Sequence, residues 1–338
     1  MNFDLDEEHR ELAGGAREFL SASASPAAAR VALEGGAGVR PGRAELVKSG
    51  FATITVPESA GGGGGSVLQL AVVAEQAGRV LAGPSLVTFA RAAVLLAGDA
   101  GDAGDAGDAG DAGRLAGLAD GSLAVAVVDD SGPVLDAIGG DTFLALRDGA
   151  LVCGPGTVTA REPIDPTRGL GDVALGKAVV LVPEATERWR RAERVGRTIL
   201  AAEGLGAAAR ILEIGVAYAK ERHAFGRPIG SYQAIKHLLV DVYVEVEQLR
   251  SLVWWSAWAA DRSPGELPLA AAAAKAAAAT TLELAAETVI QVHGGIGFTW
   301  EHDAHLFWRR AKVDRFLLGD DVAAFDEVAR LAMEVATR

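Results

Sequence analysis

Residues 217–230 read AYAKERHAFGRPIG, run on to Gln233, and are answered at 291–298 by QVHGGIGF. The first stretch is a helix that breaks. Ala217 to Arg222 continue a helical pattern, and Gly226, Pro228 and Gly230 then stop it, because proline lacks an amide donor and glycine accepts backbone angles other residues resist. This places Arg222 at a helix end and Phe225 on an exposed turn, with a new helix starting near Ser231. The second stretch closes a long alanine-rich helix with a glycine pair, where backbone amides can approach a ligand with no side chain in the way.

A guanidinium at Arg222, a ring at Phe225, amide side chains at Gln233 and Gln291, and bare backbone at Gly294 and Gly295 suit the tail of a dinucleotide, such as the ADP half of FAD. Each piece alone also fits a helix cap or a loop anchor. Together, RxxFGRPIGxxQ followed some sixty residues later by QxxGGxGF resembles the C-terminal domain of the acyl-CoA dehydrogenase family. The likeness continues through Glu301, His302 and Trp308 to Lys312. It implies a mainly α fold, with an N-terminal helical domain, a small middle β domain and a C-terminal four-helix bundle. It also implies that these motifs hold the adenosine pyrophosphate of a flavin seated mainly in a neighbouring subunit.

The chain has 338 residues, enough for two or three domains, with a net charge of −13 and 50% apolar residues, much of that alanine. An acidic balance argues against nucleic acid, whose phosphates require lysine and arginine. It also makes any phosphate binding local, for which Arg222, Arg227 and the cluster Arg309, Arg310 and Lys312 are candidates. No uninterrupted apolar run reaches the roughly 20 residues of a membrane span; the longest, Leu267 to Ala279, is broken by Lys275. The acidic N-terminus MNFDLDEEHREL is unlike a secretory leader. The single cysteine, Cys153, reads as a small strand hydrophobe and fits a reducing cytoplasm.

Four parts follow along the chain. Residues 1–97 read as helices, with amphipathic spacing at Phe3, Leu5, Leu12, Phe19 and Leu20, and with Leu46, Phe51, Ile54 and Val56 marking a turn into an extended link. The glycine run 61–65 then forms a loop before a helix from Val67 to Leu81; the unit from Gly50 to Ser85 resembles the family's N-terminal domain, where that loop joins helices walling the acyl pocket. Residues 98–113 hold five copies of Gly-Asp-Ala, with no apolar face to bury, and read as a disordered or exposed insert. Residues 114–185 give short β-like runs, LAVAVVDD, TFLALRDG, ALVCG and VALGKAVVLV. Residues 186–338 are helical again, with helices expected at 199–219, 231–260, 267–292 and 325–336. Trp254, Trp255 and Trp258 are at core spacing within the second of these.

The β part is short. The Thr-Glu-Pro-x-x-Gly-Ser and Trp-Ile-Thr/Ser types of segment, which hold the flavin ring in the family, are absent from it. The family's base, a carboxylate that removes the α proton of a CoA thioester, is implied at one of two positions. In this chain Leu318, before Gly319, and Gly196, before Arg197, occupy them, and neither accepts a proton. Glu203 shares the helix face of Gly196, roughly 10 Å further along the axis, and reads as a buried acid or a displaced base. Asp320 and Asp321 suit the N-cap and first turn of the last helix. EHDAH at 301–305 is not a metalloprotease motif, and His293, His302 and His305 lack a second ligand cluster for zinc.

The resemblance therefore implies a base-lacking acyl-CoA dehydrogenase subunit, similar to the short chains of actinobacterial heterotetramers that oxidise CoA thioesters of steroid side chains. A longer homologue would then supply the flavin-ring site and the glutamate, with an electron-transfer flavoprotein-like acceptor downstream. Two alternatives stand beside it: a self-sufficient homotetramer using Glu203, and a purely structural partner that touches no cofactor.

Overall fold

A computed structural model describes residues 5–337 except 25, 35–41, 84, 98–108 and 131. Among the described residues six helices come first: α1 (Glu7–Ser23), α2 (Pro26–Leu33), α3 (Arg43–Lys48), α4 (Val67–Arg79), α5 (Leu86–Ala97) and α6 (Ala109–Asp120). Asp6 caps α1 by accepting from the His9 amide, and Ser66 and Gln69 form a reciprocal capping box at α4. The region 51–56 turns through a short 3-10 segment, as expected, but a second 3-10 segment at Glu58–Ala60 follows in place of the extended link.

The glycine run is a packed loop. The amides of Gly62, Gly63, Gly64 and Gly65 donate to the carbonyls of Pro57, Thr53, Val56 and Ile54, so the loop folds back on the preceding turn. A Cβ on Gly62 would lie 2.3 Å from the Val56 carbonyl oxygen, which explains why this position carries no side chain. Asp261 then accepts from the amides of Val67 and Leu68, tying the start of α4 to the C-terminal helices.

Six short strands follow: β1 (Val125–Val128), β2 (Thr142–Arg147), β3 (Ala150–Gly154), β4 (Gly156–Ala160), β5 (Gly171–Leu175) and β6 (Val179–Val182). One sheet has the order β1-β2-β3-β6, parallel only between β1 and β2, and β4 pairs with β5 in a separate antiparallel ribbon. The β4 segment GTVTA lacked the apolar weight to be read as a strand, and it is largely exposed. Cys153 is buried in β3, as expected.

The chain then runs through α7 (Thr186–Glu221), a hairpin of β7 (His223–Ala224) and β8 (Arg227–Pro228), and the helices α8 (Gln233–Arg262), α9 (Leu267–His293), α10 (Ala304–Asp314) and α11 (Asp321–Ala336). The helix α7 starts well before the expected 199, because its charged first turns, TERWRRAERVGRT, hide the apolar period. Asp320 caps α11 by accepting from the Ala323 amide, as expected. The apolar helix α9 packs against α7, α8, α10 and α11. With the turn after it, α9 is the described segment long and apolar enough to cross a membrane, and its buried alanine faces account for that composition.

Two helices meet with almost no gap. A Cβ on Gly78 of α4 would lie 1.8 Å from the Glu203 carbonyl oxygen, and one on Gly206 of α7 would lie 1.7 Å from that of Glu75. The same Glu-x-x-Gly spacing on each helix makes the contact reciprocal, and any side chain at either glycine would force the helices apart.

The Gly-Asp-Ala repeat is divided. Residues 98–108 of the expected insert lie outside the described residues, and α6 begins at Ala109, within the fourth copy, so the end of the repeat is helical rather than irregular. Helix α6 packs on α5 through its C-terminal half, where Leu115 and Leu118 are buried.

Candidate functional site

The broken helix ends in a two-residue hairpin. His223 and Ala224 pair with Pro228 and Arg227, leaving Phe225 and Gly226 at the tip, with φ of 52° and 80°. Two successive positive φ angles give the turn that matches the twist of a tight hairpin. Glycine adopts this without cost, but phenylalanine does not. The Phe225 ring is nonetheless 98% exposed. The hairpin is braced from below: the Tyr232 hydroxyl donates to the Ala224 carbonyl, the Ile229 amide to that of Arg222, and Arg227 lies 4.0 Å over the Tyr232 ring. Arg222 caps α7 with its side chain exposed, and it pairs with no carboxylate among the described residues. Gln233, also exposed, is the first residue of α8.

The glycine pair stands at the end of α9, which meets the end of α7. Gly294 caps α9 with φ 63° and ψ −143°, a conformation essentially reserved for glycine. A Cβ on Gly294 or Gly295 would meet nothing within 4 Å, so the backbone lies bare to the outside. Gln291 is exposed one turn earlier. Tyr218 in the last turn of α7 stacks on His293 at the end of α9, with ring centroids 4.0 Å apart, and so brings the two helix ends together. Beyond the glycines, Phe298, Trp300, His305, Trp308 and Arg309 line a cavity of about 120 Å³, well short of the several hundred Å³ of a typical ligand pocket.

The expected basic cluster does not stand open to phosphate. Arg310 is buried, with its Nε 2.6 Å from Asp165, and it donates to the Thr167 hydroxyl and the Leu81 carbonyl. Lys312 pairs with Glu283 and Glu287, and Arg309 donates to the Ile164 carbonyl and His305. These side chains point into packing on the other elements, which adjacency in sequence could not reveal.

The two positions expected for the base lie side by side, and a third side chain fills the space between them. A Cβ on Gly196 would be 3.0 Å from Leu318 Cδ1 and 2.8 Å from Arg91 Cδ. Leu318 sits at φ 58° and its carbonyl accepts from Arg197 Nε. Arg91, 3% exposed, is held by two bonds of 2.5 and 2.8 Å to the Asp129 carboxylate and lies 5.5 Å over the Trp189 ring. A bidentate pair of this kind is strong and directional. Sequence reasoning missed Arg91, Asp129 and Trp189. One signal was present: Arg91 is the lone charge in the otherwise apolar helix LVTFARAAVLLA.

Glu203 is equally occupied. One carboxylate oxygen accepts from the Ser85 hydroxyl and the Leu86 amide, and the other lies 2.5 Å from Arg168. Arg168 is fully buried and also forks onto Asp314. Burial works against its charge, yet the pull of Asp314 and Glu203 holds its pKa well above the ordinary guanidinium value. Lys275, buried beside Asp314, donates to the carbonyls of Asp314 and Arg315, and burial lowers its pKa to about 8. Glu203 therefore serves a polar junction between the N-terminal helices, the β region and the C-terminal helices. Both of its oxygens are thus engaged within the protein.

Comparison with known proteins agrees with this architecture. The acyl-CoA dehydrogenase C-terminal domain matches residues 190–333, and the N-terminal domain matches residues 6–100. The acyl-CoA dehydrogenase IpdE2 of Mycobacterium tuberculosis is 35% identical over 312 residues, covering 90% of this chain and 91% of that protein. Among solved structures, a variant of the Tcur3481-Tcur3483 steroid ACAD superposes with a TM-score of 0.83 at 28% identity, covering 98% of this chain and 99% of that one. The ChsE4-ChsE5 complex of Mycobacterium tuberculosis superposes with a TM-score of 0.82 at 25% identity, covering 100% of both chains. Over both of its helical parts, then, the chain belongs to the acyl-CoA dehydrogenase family, oxidoreductases acting on CH–CH bonds.

Proposed function

We propose that this chain is the base-lacking subunit of a hetero-oligomeric, FAD-dependent acyl-CoA dehydrogenase that introduces an α,β double bond into a CoA thioester of a steroid side chain. The observation that carries the reading is the pair Gly196 and Leu318: no carboxylate stands at either position, and Arg91, pinned to Asp129, fills the room one would need. The α proton must then go to a carboxylate on a second, longer chain of the same family.

The residues at the helix ends fit the nucleotide tail of the flavin. Arg222 is an exposed cation for a pyrophosphate, Phe225 an exposed ring for stacking, Gly294 and Gly295 exposed backbone with no side chain in the way, and Gln233 and Gln291 exposed amides. FAD supplies the acceptor for the hydride that leaves the β carbon. The chain's own contribution is to hold the far end of that cofactor while the partner encloses the ring. The steroid side chain and the two-chain assembly are supported by the likeness to the steroid ACAD and the ChsE4-ChsE5 complex, whose names carry those attributes.

The test is co-expression with a longer homologue. Purified alone, the chain is expected to be colourless or insoluble; with its partner it is expected in a yellow complex that a steroid side-chain acyl-CoA bleaches. A yellow homo-oligomer of this chain, reduced by an acyl-CoA without any second polypeptide, overturns the reading.

A further inference from the structure

The two halves of the nucleotide grip are far apart in sequence, and three rings in contact, one pair stacked and the other tilted by 52°, join them. Tyr218, four residues before Arg222, lies 4.0 Å from His293 with the planes 24° apart, and His293 lies 4.2 Å from His302. His293 is buried directly before Gly294, and one ring nitrogen is 2.7 Å from the Val289 carbonyl. That bond fixes its tautomer, with the proton on Nδ1. His302 accepts from the Ala304 amide through Nδ1, which fixes its tautomer in turn. Any tilt of this stack therefore moves Arg222 relative to Gly294 and Gly295.

We propose that Tyr218, His293 and His302 are positioning residues that keep the two halves of the grip in register while both imidazoles are neutral, and that charging them parts the halves and releases the nucleotide tail. This deepens the reading of 222–233 and 291–295 as a flavin-tail site and rests on it. The charged groups around the stack do not rescue it. Arg30 of α2 reaches over to Asp303, so the carboxylate nearest to His302 is already paired. Arg309 and His305 add a further cation and a further base on the α10 side, and Glu301 is exposed at the turn. Burial lowers the pKa of both rings, and each protonated ring would repel the other.

The sign follows from linkage. A histidine with a lowered pKa in the folded state gives its full stabilisation above its unfolded pKa of about 6.5 and loses it as pH falls through the lowered value. Retention of FAD by the assembled complex should accordingly hold at pH 8 and fall on acidification below about 6.5.

The experiment measures FAD affinity of the co-purified complex at pH 8 and pH 5.5, with circular dichroism as the check on folding. For the wild type, a loss of about tenfold or more is expected between the two. His302→Asn keeps an acceptor for the Ala304 amide but removes one ring and one of the two titrating groups, so it should bind more weakly than wild type at pH 8 and lose clearly less than wild type between the two pH values. Tyr218→Leu should bind more weakly at both pH values, and Tyr218→Phe, which keeps the ring, should not. If His302→Asn retains the full pH step, or if Tyr218→Leu binds as wild type while Arg222→Ala is impaired, the stack is not the latch. If Arg222→Ala also binds as wild type, the flavin-tail reading itself has failed.

Discussion

The tip formed by the hairpin and the end of α9 differs in every respect from the junction around Arg168. At the tip, charge, ring and backbone are exposed and one residue is strained. At the junction and beside Gly196 the arginines are buried and each is answered by a carboxylate: Arg168 by Glu203 and Asp314, Arg310 by Asp165, Arg91 by Asp129. Burying ions costs several kcal/mol each unless partners are well placed, so the junction is a closed set that one deletion would unbalance. Exposed, unanswered groups cost little to keep and are ready to meet something outside the chain. The contrast separates what holds this chain together from what it leaves exposed.

That contrast is broken most directly at the junction. Arg168→Met should leave Glu203 and Asp314 buried without their counter-charge and cost about 3–5 kcal/mol, read as a lower urea midpoint. Glu203→Gln, by comparison, should lower stability while the assembled enzyme still turns over. Loss of turnover with unchanged stability would move Glu203 from the junction to the chemistry.

At the tip the losses should appear in binding instead. Arg222→Ala should reduce FAD affinity of the complex on the order of tenfold to a hundredfold, the range for a hydrogen-bonded charge, with the unfolding midpoint unmoved. Gly294→Ala should cost about 1–2 kcal/mol through its backbone angles alone, seen in thermal unfolding and in weaker FAD retention together. The smallest effect has two signs. Phe225→Asn, better suited to a positive φ, should raise stability by about 0.5 kcal/mol and weaken FAD binding. A Phe225 variant that loses stability, or keeps affinity, would remove the case that the strained ring is there for a ligand.

The helices and the two motifs could be read directly because they depend on local signals: apolar spacing on α8 and α9, glycine and proline at 226, 228 and 230, and the glycine pair at 294. The order of the strands and the filled base position could not. Arg91 meets Asp129 and Gly196 only after α5, the end of β1 and α7 have packed, and no spacing in the chain encodes that meeting. The same limit explains the basic cluster, since Arg309, Arg310 and Lys312 are neighbours in sequence but leave α10 toward different partners. In α7 the short-range signal was present but masked, because the start of the helix carries alternating charges: Glu187 pairs with Arg190 and Arg194, and Glu193 with Arg197.

The crowding around Gly196 also constrains how this lineage could change. A glutamate arising there by one substitution would enter the space held by Arg91 and form a third arm of an ion pair, aimed at a guanidinium rather than at a substrate. One at 318 would inherit a left-handed backbone angle next to the same arginine. Recovery of proton abstraction therefore needs Arg91 and Asp129 to go first, a step that destabilises the fold and returns nothing by itself. On the proposed reading, an acid once lost at this position works as a ratchet, with dependence on a second polypeptide on its far side.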